Sequence, residues 1–331
     1  MSKISLVIPG YNVESCLERC LRSASELLES RRIIEIIFVD NNSTDRSREV
    51  AKIYNVKLLE CSKKGASAAR NIGWRNALGD YVWFVDADCR VEGKTIDILI
   101  ETILKQDVEA VSGGYLNDSS SSLLAELIQG EFDYRYSKMQ GLVSYATTCN
   151  LLCKKELLVE LNGFSEDISS VEDGDFVFRM LSLSKKIIFN SDSRLFHLHP
   201  ENWIVYLKKQ AFHAFWAVRL YSRHPSRIFG HSYSNLIDHL QPFLVLLFIA
   251  SAPYIGRYSL VFLSIFLMAQ IPIMRFLYAN RSLFEALSFT LFSLVRTIAR
   301  LIGICLGSLS ALLNVLFRFS LSRVSLCFLV F

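Results

Sequence analysis

Two clusters of carboxylates carry the chemistry open to this 331-residue chain. The first is Asp86-Ala87-Asp88, placed directly after the apolar and aromatic run of residues 81–85. Such a run reads as a strand buried on both faces. In an open parallel sheet, ligands bind beyond the carboxyl ends of the strands. Two acids this close raise each other's pKa unless a cation joins them. A hard divalent ion, Mg2+ or Mn2+, itself holding a phosphate, would relieve the repulsion; a plain polar turn is the other reading. The second cluster is Glu172-Asp173-Gly174-Asp175, which opens a helical pattern through Phe176, Phe178, Met180 and Leu181. A carboxylate there can act as a general base toward an attacking hydroxyl. Acids at a helix N-terminus also simply favour the helix dipole.

Periodicity shows the elements that must hold these groups. Residues 4–8 form an apolar strand stopped by Pro9-Gly10, and Leu17, Leu21, Ala24 and Leu28 recur at helical spacing. Residues 33–39 give a second strand ending in Asp40, followed by Asn42-Ser43-Thr44-Asp45, whose side chains are expected to cap the next helix. A third strand over 56–60 completes a β-α-β-α-β opening, the start of a mostly parallel sheet with helices on both faces. Lys63-Lys64-Gly65 then leads into a helix of small residues. Its charge and free backbone N–H groups could face a phosphate, or it is a lysine-rich surface loop. Beyond the acidic turn, helices are expected over 95–105, 123–139 and 155–161. Strands are expected over 108–115, 143–153, 187–189 and 195–198. The polar loop over 118–122 is expected to be mobile. His197 and His199 would share one face of the last strand. One could complete a metal site with the acids; ordinary hydrogen-bonded histidines are the alternative.

The chain has room for a domain of about 200–250 residues and a further part. After residue 235 the only acids are Asp238 and Glu285, lysine is absent, and arginines punctuate apolar runs. The net charge of +4 is therefore no nucleic-acid signature. Residues 200–224 read as an amphipathic helix mixing Trp203, Tyr206, Phe212 and Trp216 with Lys208, Lys209, Arg219 and Arg223. That mixture suits a membrane interface, or packing on the soluble part. Residues 236–255, 258–274 and 301–317 are apolar and long enough to cross about 30 Å of hydrocarbon. Residues 284–299 would lie along the interface or extend the third segment, and 324–331 are too short to span. The expected organisation is an α/β domain over 1–200, an interfacial helix and linker over 201–235, and a membrane region with about three helices over 236–331. Eight cysteines include no Cys-x-x-Cys; Cys16, Cys20, Cys149 and Cys153 fit small buried residues, with a zinc site as the alternative. With the first strand beginning at Ile4, no leader and a reducing cytoplasm are expected.

Several residue sets coincide in order: Val7-Ile8-Pro9-Gly10-Tyr11-Asn12, Phe38-Val39-Asp40 through Asp45, Ala69-Arg70-Asn71-Ile72-Gly73, Asp86-Ala87-Asp88 and Glu172-Asp173. Together, over about residues 3–200, they resemble the family 2 glycosyltransferases of membrane-anchored bacterial type. The resemblance implies a GT-A fold, a nucleotide-diphospho-sugar donor and inversion at the anomeric carbon. It places Pro9, Tyr11 and Asn12 in the nucleoside pocket, Asp40 on the base, and Arg70 near the base or phosphates. Asp88 would hold Mg2+ or Mn2+, with Asp86 on the donor ribose or the metal and His197 a further candidate ligand. Asp173 matches the catalytic base, with Glu172 supporting the acceptor.

The stretch Gln210-Ala211-Phe212-His213-Ala214-Phe215-Trp216 departs from the Gln-x-x-Arg-Trp motif of processive synthases by lacking the arginine. That favours addition of one sugar at a time. An apolar tail beside an aromatic helix suggests a lipid-linked saccharide as acceptor and membrane lipid as partner. The expected location is the cytoplasmic (inner) membrane, multi-pass, with the catalytic domain inside. Two rival readings are a polyprenyl-phosphate sugar synthase and a non-catalytic membrane scaffold with a relict nucleotide-binding domain.

Overall fold

The computed structural model describes residues 2–119 and 122–317, with side chains described to residue 313. The centre of the 118–122 loop and the apolar stretch 324–331 lie outside the described residues. The chain divides into two compact units, one of residues 1–118 and 135–199, the other of 119–134 and 200–331.

The first unit is built on a nine-stranded sheet. Its opening is β1 (Ile4–Gly10), α1 (Glu14–Glu29), β2 (Glu35–Asp40), α2 (Ser47–Lys52), β3 (Lys57–Glu60), α3 (Ala66–Arg75) and β4 (Tyr81–Val85). These four strands are parallel, in the order β3-β2-β1-β4. The chain continues through β5 (Cys89–Arg90), α4 (Gly93–Gln106), β6 (Ala110–Asn117), α5 (Leu123–Tyr136), β7 (Gly141–Leu142), β8 (Asn150–Lys154), α6 (Lys155–Glu160), α7 (Glu172–Ser182) and β9 (Ile187–His197). Strand β8 runs antiparallel between β4 and β6, while β6 and β9 are parallel. The sheet is therefore mixed beyond β4. Trp83, Phe84, Phe38 and Leu6 are buried in its centre, which accounts for the unbroken apolar runs.

Three local expectations change. The strand expected over 143–153 begins only at Asn150; residues 143–149 form a connecting segment whose polar Ser144, Thr147 and Thr148 interrupt the apolar pattern. The two late strands are one, β9, kept continuous by an irregularity opposite Gly113 and Gly114. The Ser43–Ser47 stretch largely serves α1: Val13 N–H donates to Ser47 Oγ and Glu14 N–H to Asp45 Oδ2. That bonding ties the two loops at the carboxyl ends of β1 and β2 to each other.

The second unit contains α8 (Trp203–Arg223), α9 (Leu236–Ile255), α10 (Leu260–Asn280) and α11 (Leu283–Phe317). Residues 284–299 extend the last helix. The unit also takes in Leu124, Leu127 and Ile128 of α5, which pack against Tyr206, Leu277, Phe289 and Phe292. Arg281 at the α10–α11 turn binds Glu126, Asp133 and Glu285. Two helical stretches, Leu236–Asn280 and Leu283–Leu313, are long and apolar enough to cross a membrane.

Candidate active site

Three loops and one helix start converge where the parallel strands end. Asp86 and Asp88 follow β4, and Glu172 and Asp173 open α7. The link between them is Arg70 of α3, only 4% exposed, which donates to Glu172 Oε1 at 2.6 Å and to Asp86 Oδ1 at 2.9 Å. The planar guanidinium suits such a two-carboxylate clamp better than an ammonium would. Burial alone would lower its pKa, but Asp86 and Glu172 outweigh that and raise it, so Arg70 stays charged.

Asp173 sits beside this clamp. Its Oδ1 accepts from Gly174 N–H at 2.7 Å and from Tyr145 Oη at 3.2 Å. Desolvation and then the Glu172 charge push its pKa up to about 7, against the pull of the Gly174 N–H, Arg70 and Tyr145. The residue before the pair, Val171, has φ 59°, a left-handed conformation costly for a β-branched side chain. Such strain collects at functional sites, where surrounding contacts enforce it.

On the other side of Asp86, the backbone runs directly into β5, which pairs Cys89 with His197. This register brings His197 Nε2 to 3.4 Å from Asp88 Oδ2. His197 Nδ1 lies 3.1 Å from Nδ1 of the buried His199, so the two imidazoles do meet on one face. Asp88, His197 and the adjacent Cys89 form a cluster with metal-ligand spacing. Cys89 Sγ contacts Cys149 Sγ at 3.2 Å and also lies 3.7 Å from Asp88 Oδ1.

The nucleoside-side candidates take distinct positions. Tyr11 is half exposed, and the Asn12 side chain accepts from Thr44 N–H at 2.8 Å. Pro9 is in β1, paired with Val39. Asp40 is fully buried, with Arg48 Nε at 2.6 Å and Ser43 N–H at 3.2 Å. Of the two readings of the lysine-rich loop, the contacts favour the surface loop: Lys63, still exposed, pairs with Glu166 at 2.7 Å, and Gly65 N–H donates to Asn41 Oδ1 at 2.8 Å. Asn41 Nδ2 also donates to Lys63 O at 2.7 Å, so one buried amide fixes the course of this loop. Sequence reasoning missed Asn41, Arg48 and Tyr145. The polar interruption at Ser144–Thr148 was the available signal for the last.

Comparison with known proteins points to sugar transfer as the class of chemistry. The Glycosyl transferase family 2 model matches residues 5–161, so the chain carries a family 2 glycosyltransferase domain. Glycosyltransferase GlyG of Streptococcus pneumoniae is 28% identical over 200 residues, covering 56% of this chain and 58% of that one. Glycosyltransferase GlyA of the same organism is 35% identical over 124 residues, 36% of this chain and 18% of the other. The chain therefore spans less than two thirds of these relatives. Among solved structures, mannosyltransferase PcManGT from Pyrobaculum calidifontis, in complex with GDP-Man and Mn2+, superposes with a TM-score of 0.58. At 17% identity over 96% of this chain and 88% of that one, it shows the shared GT-A fold.

Proposed function

We propose that the chain is an inverting glycosyltransferase that moves one sugar from a nucleotide-diphospho-sugar to a hydroxyl of a lipid-linked saccharide at the cytoplasmic face of the inner membrane. The observation that carries this reading is the Arg70 clamp, which holds a donor-side acid and a base-side acid together beside Asp173. A base with a pKa of about 7 is matched to proton transfer near neutral pH. Asp173 takes the proton of the acceptor hydroxyl as its oxygen attacks the anomeric carbon. The bond from that carbon to the diphosphate oxygen breaks, its electron pair leaves with the nucleoside diphosphate, and one in-line displacement inverts the configuration. Glu172, ion-paired with Arg70, supports the acceptor.

PcManGT's Mn2+ prompts the question whether a divalent ion fits here. The half-exposed Asp88 carboxylate and the His197 imidazole offer hard and borderline donors suited to Mn2+ or Mg2+, whereas the Cys89 thiol is soft and buried. Donation from His197 Nδ1 to His199 would leave Nε2 as the ligand atom. Bound there, the ion supplies charge neutralisation for the leaving diphosphate. Pro9, Tyr11, Asn12 and Asp40 are assigned to the nucleoside.

Exposed Phe243, Leu247, Ile249, Met268 and Leu291 on α9, α10 and α11 support a lipid environment for those helices. The test is release of nucleoside diphosphate by detergent-solubilised protein from a panel of nucleotide sugars, with Mn2+ and a lipid extract. Turnover of one donor, lost with chelator and in Asp88→Asn and Asp173→Asn, supports the assignment. Turnover indifferent to both substitutions would reject it, and a product with one sugar on one phosphate would move the acceptor to a polyprenyl phosphate.

A further inference from the structure

We propose that Tyr145 is the positioning residue of the base: its hydroxyl and the Gly174 N–H together occupy Oδ1 of Asp173 and leave Oδ2 to receive the proton. The inference rests on the reading of Asp173 as the base and adds which oxygen acts and what aims it. A carboxylate with two donors on one oxygen presents the other with its lone pairs open. Rotation about the side-chain bond would have to break both contacts, so the reacting atom is held in one place.

The segment that carries Tyr145 is pinned at both ends. Val143 N–H donates to Ile187 O at 3.1 Å, and Thr147 O accepts from Ser112 Oγ at 3.3 Å. The Thr147 and Tyr115 hydroxyls are also hydrogen-bonded. Between these anchors the Tyr145 ring meets Phe178 edge to face, centroids 6.1 Å apart. Phe178 lies on α7, the helix that carries Asp173, so the Tyr145 ring packs against the element that presents the carboxylate. The charged groups acting on Asp173 are Glu172 on the same helix and Arg70 from α3, the latter bonded in turn to Asp86. Glu172 raises Asp173, Arg70 lowers it, and the Tyr145 hydroxyl lowers it by favouring the ionised form.

Tyr145→Phe removes the donor and keeps the ring. Loss of one hydrogen bond to an ionised carboxylate moves the acid limb of the pH–rate profile up by about one unit. At pH 7 kcat then falls about fivefold, because the ionised fraction drops from about one half to about a tenth. Activity recovers at higher pH, while KM for the donor and thermal stability stay near wild type. Carbon-13 NMR titration of Asp-labelled protein, with the signal assigned through Asp173→Asn, must show the same upward shift without substrate. An unshifted carboxyl titration and an unshifted acid limb in a folded Tyr145→Phe protein overturn the role of Tyr145. Retention of activity by Asp173→Asn overturns the base assignment itself, so the two failures are told apart.

Discussion

Arg70 and Glu172 are 102 residues apart in sequence, yet Nη1 of one and Oε1 of the other lie 2.6 Å apart in the fold. With its second nitrogen on Asp86, this buried side chain fixes the distance between the end of β4 and the start of α7. Asp86, Arg70 and Glu172 are therefore one charge network.

Arg70→Met should remove that link at a cost in stability of about 3 kcal/mol, the lower end of what breaking a buried pair costs because Asp86 remains open to solvent. It also withdraws the positive charge that lowers Asp173, so the acid limb of activity moves to higher pH. Arg70→Lys should recover part of the charge effect and little of the geometry. Thermal unfolding and a pH–rate profile separate the two effects.

Asp173 should weaken the folded state at neutral pH. Its carboxyl goes from an ordinary value of 3.8 when unfolded to about 7 when folded. Between those values the unfolded chain has lost the proton and the folded one keeps it, so stability falls as pH rises through this window. Asp173→Asn is isosteric and uncharged, and should raise Tm at pH 8 while changing it little at pH 4. An equal change at both values would mean that the side chain contributes packing rather than charge.

If His197 and Asp88 hold a divalent ion, His197→Ala should raise the Mn2+ concentration needed for half-maximal binding by at least about tenfold. Manganese EPR of the free protein measures this without turnover. Unchanged Mn2+ affinity would remove His197 from the metal site.

Val171 carries a strained backbone that glycine adopts freely. Val171→Gly should stabilise the fold by about 1 kcal/mol, and, by loosening the approach to Glu172 and Asp173, lower kcat. Stability and kcat would then move in opposite directions, measurable by denaturant titration and steady-state rates.

The sequence made the parallel opening legible because β1, β2 and β4 are largely apolar runs that stop at Gly10, at Asp40 and just before Asp86. Asp86 and Asp88 were legible for the same reason, and Glu172-Asp173 because the pair opens a helical pattern. The clamp was not: which acids Arg70 binds depends on contacts across 16 and 102 residues of chain. Tyr145 was hidden because its segment has enough β-branched and aromatic residues to read as strand, although tertiary contacts hold it as a loop. The Asn42–Asp45 oxygens had two helix starts within reach, and only folding decides that Ser43 Oγ and Asp45 Oδ2 accept from the Asn12 and Glu14 N–H groups at the start of α1. The reversed direction of β8 was likewise invisible, since an apolar strand has the same pattern read either way.

The stereochemistry of transfer tests the central claim most directly. Once the panel names a donor, proton NMR of the product from early turnover reads the anomeric configuration. A single displacement with Asp173 as base predicts a β-linked sugar from an α-linked donor, formed at a rate that falls as pH drops through about 7. An α-linked product would require two displacements or a front-face route, and would contradict the assignment of Asp173 as the sole base.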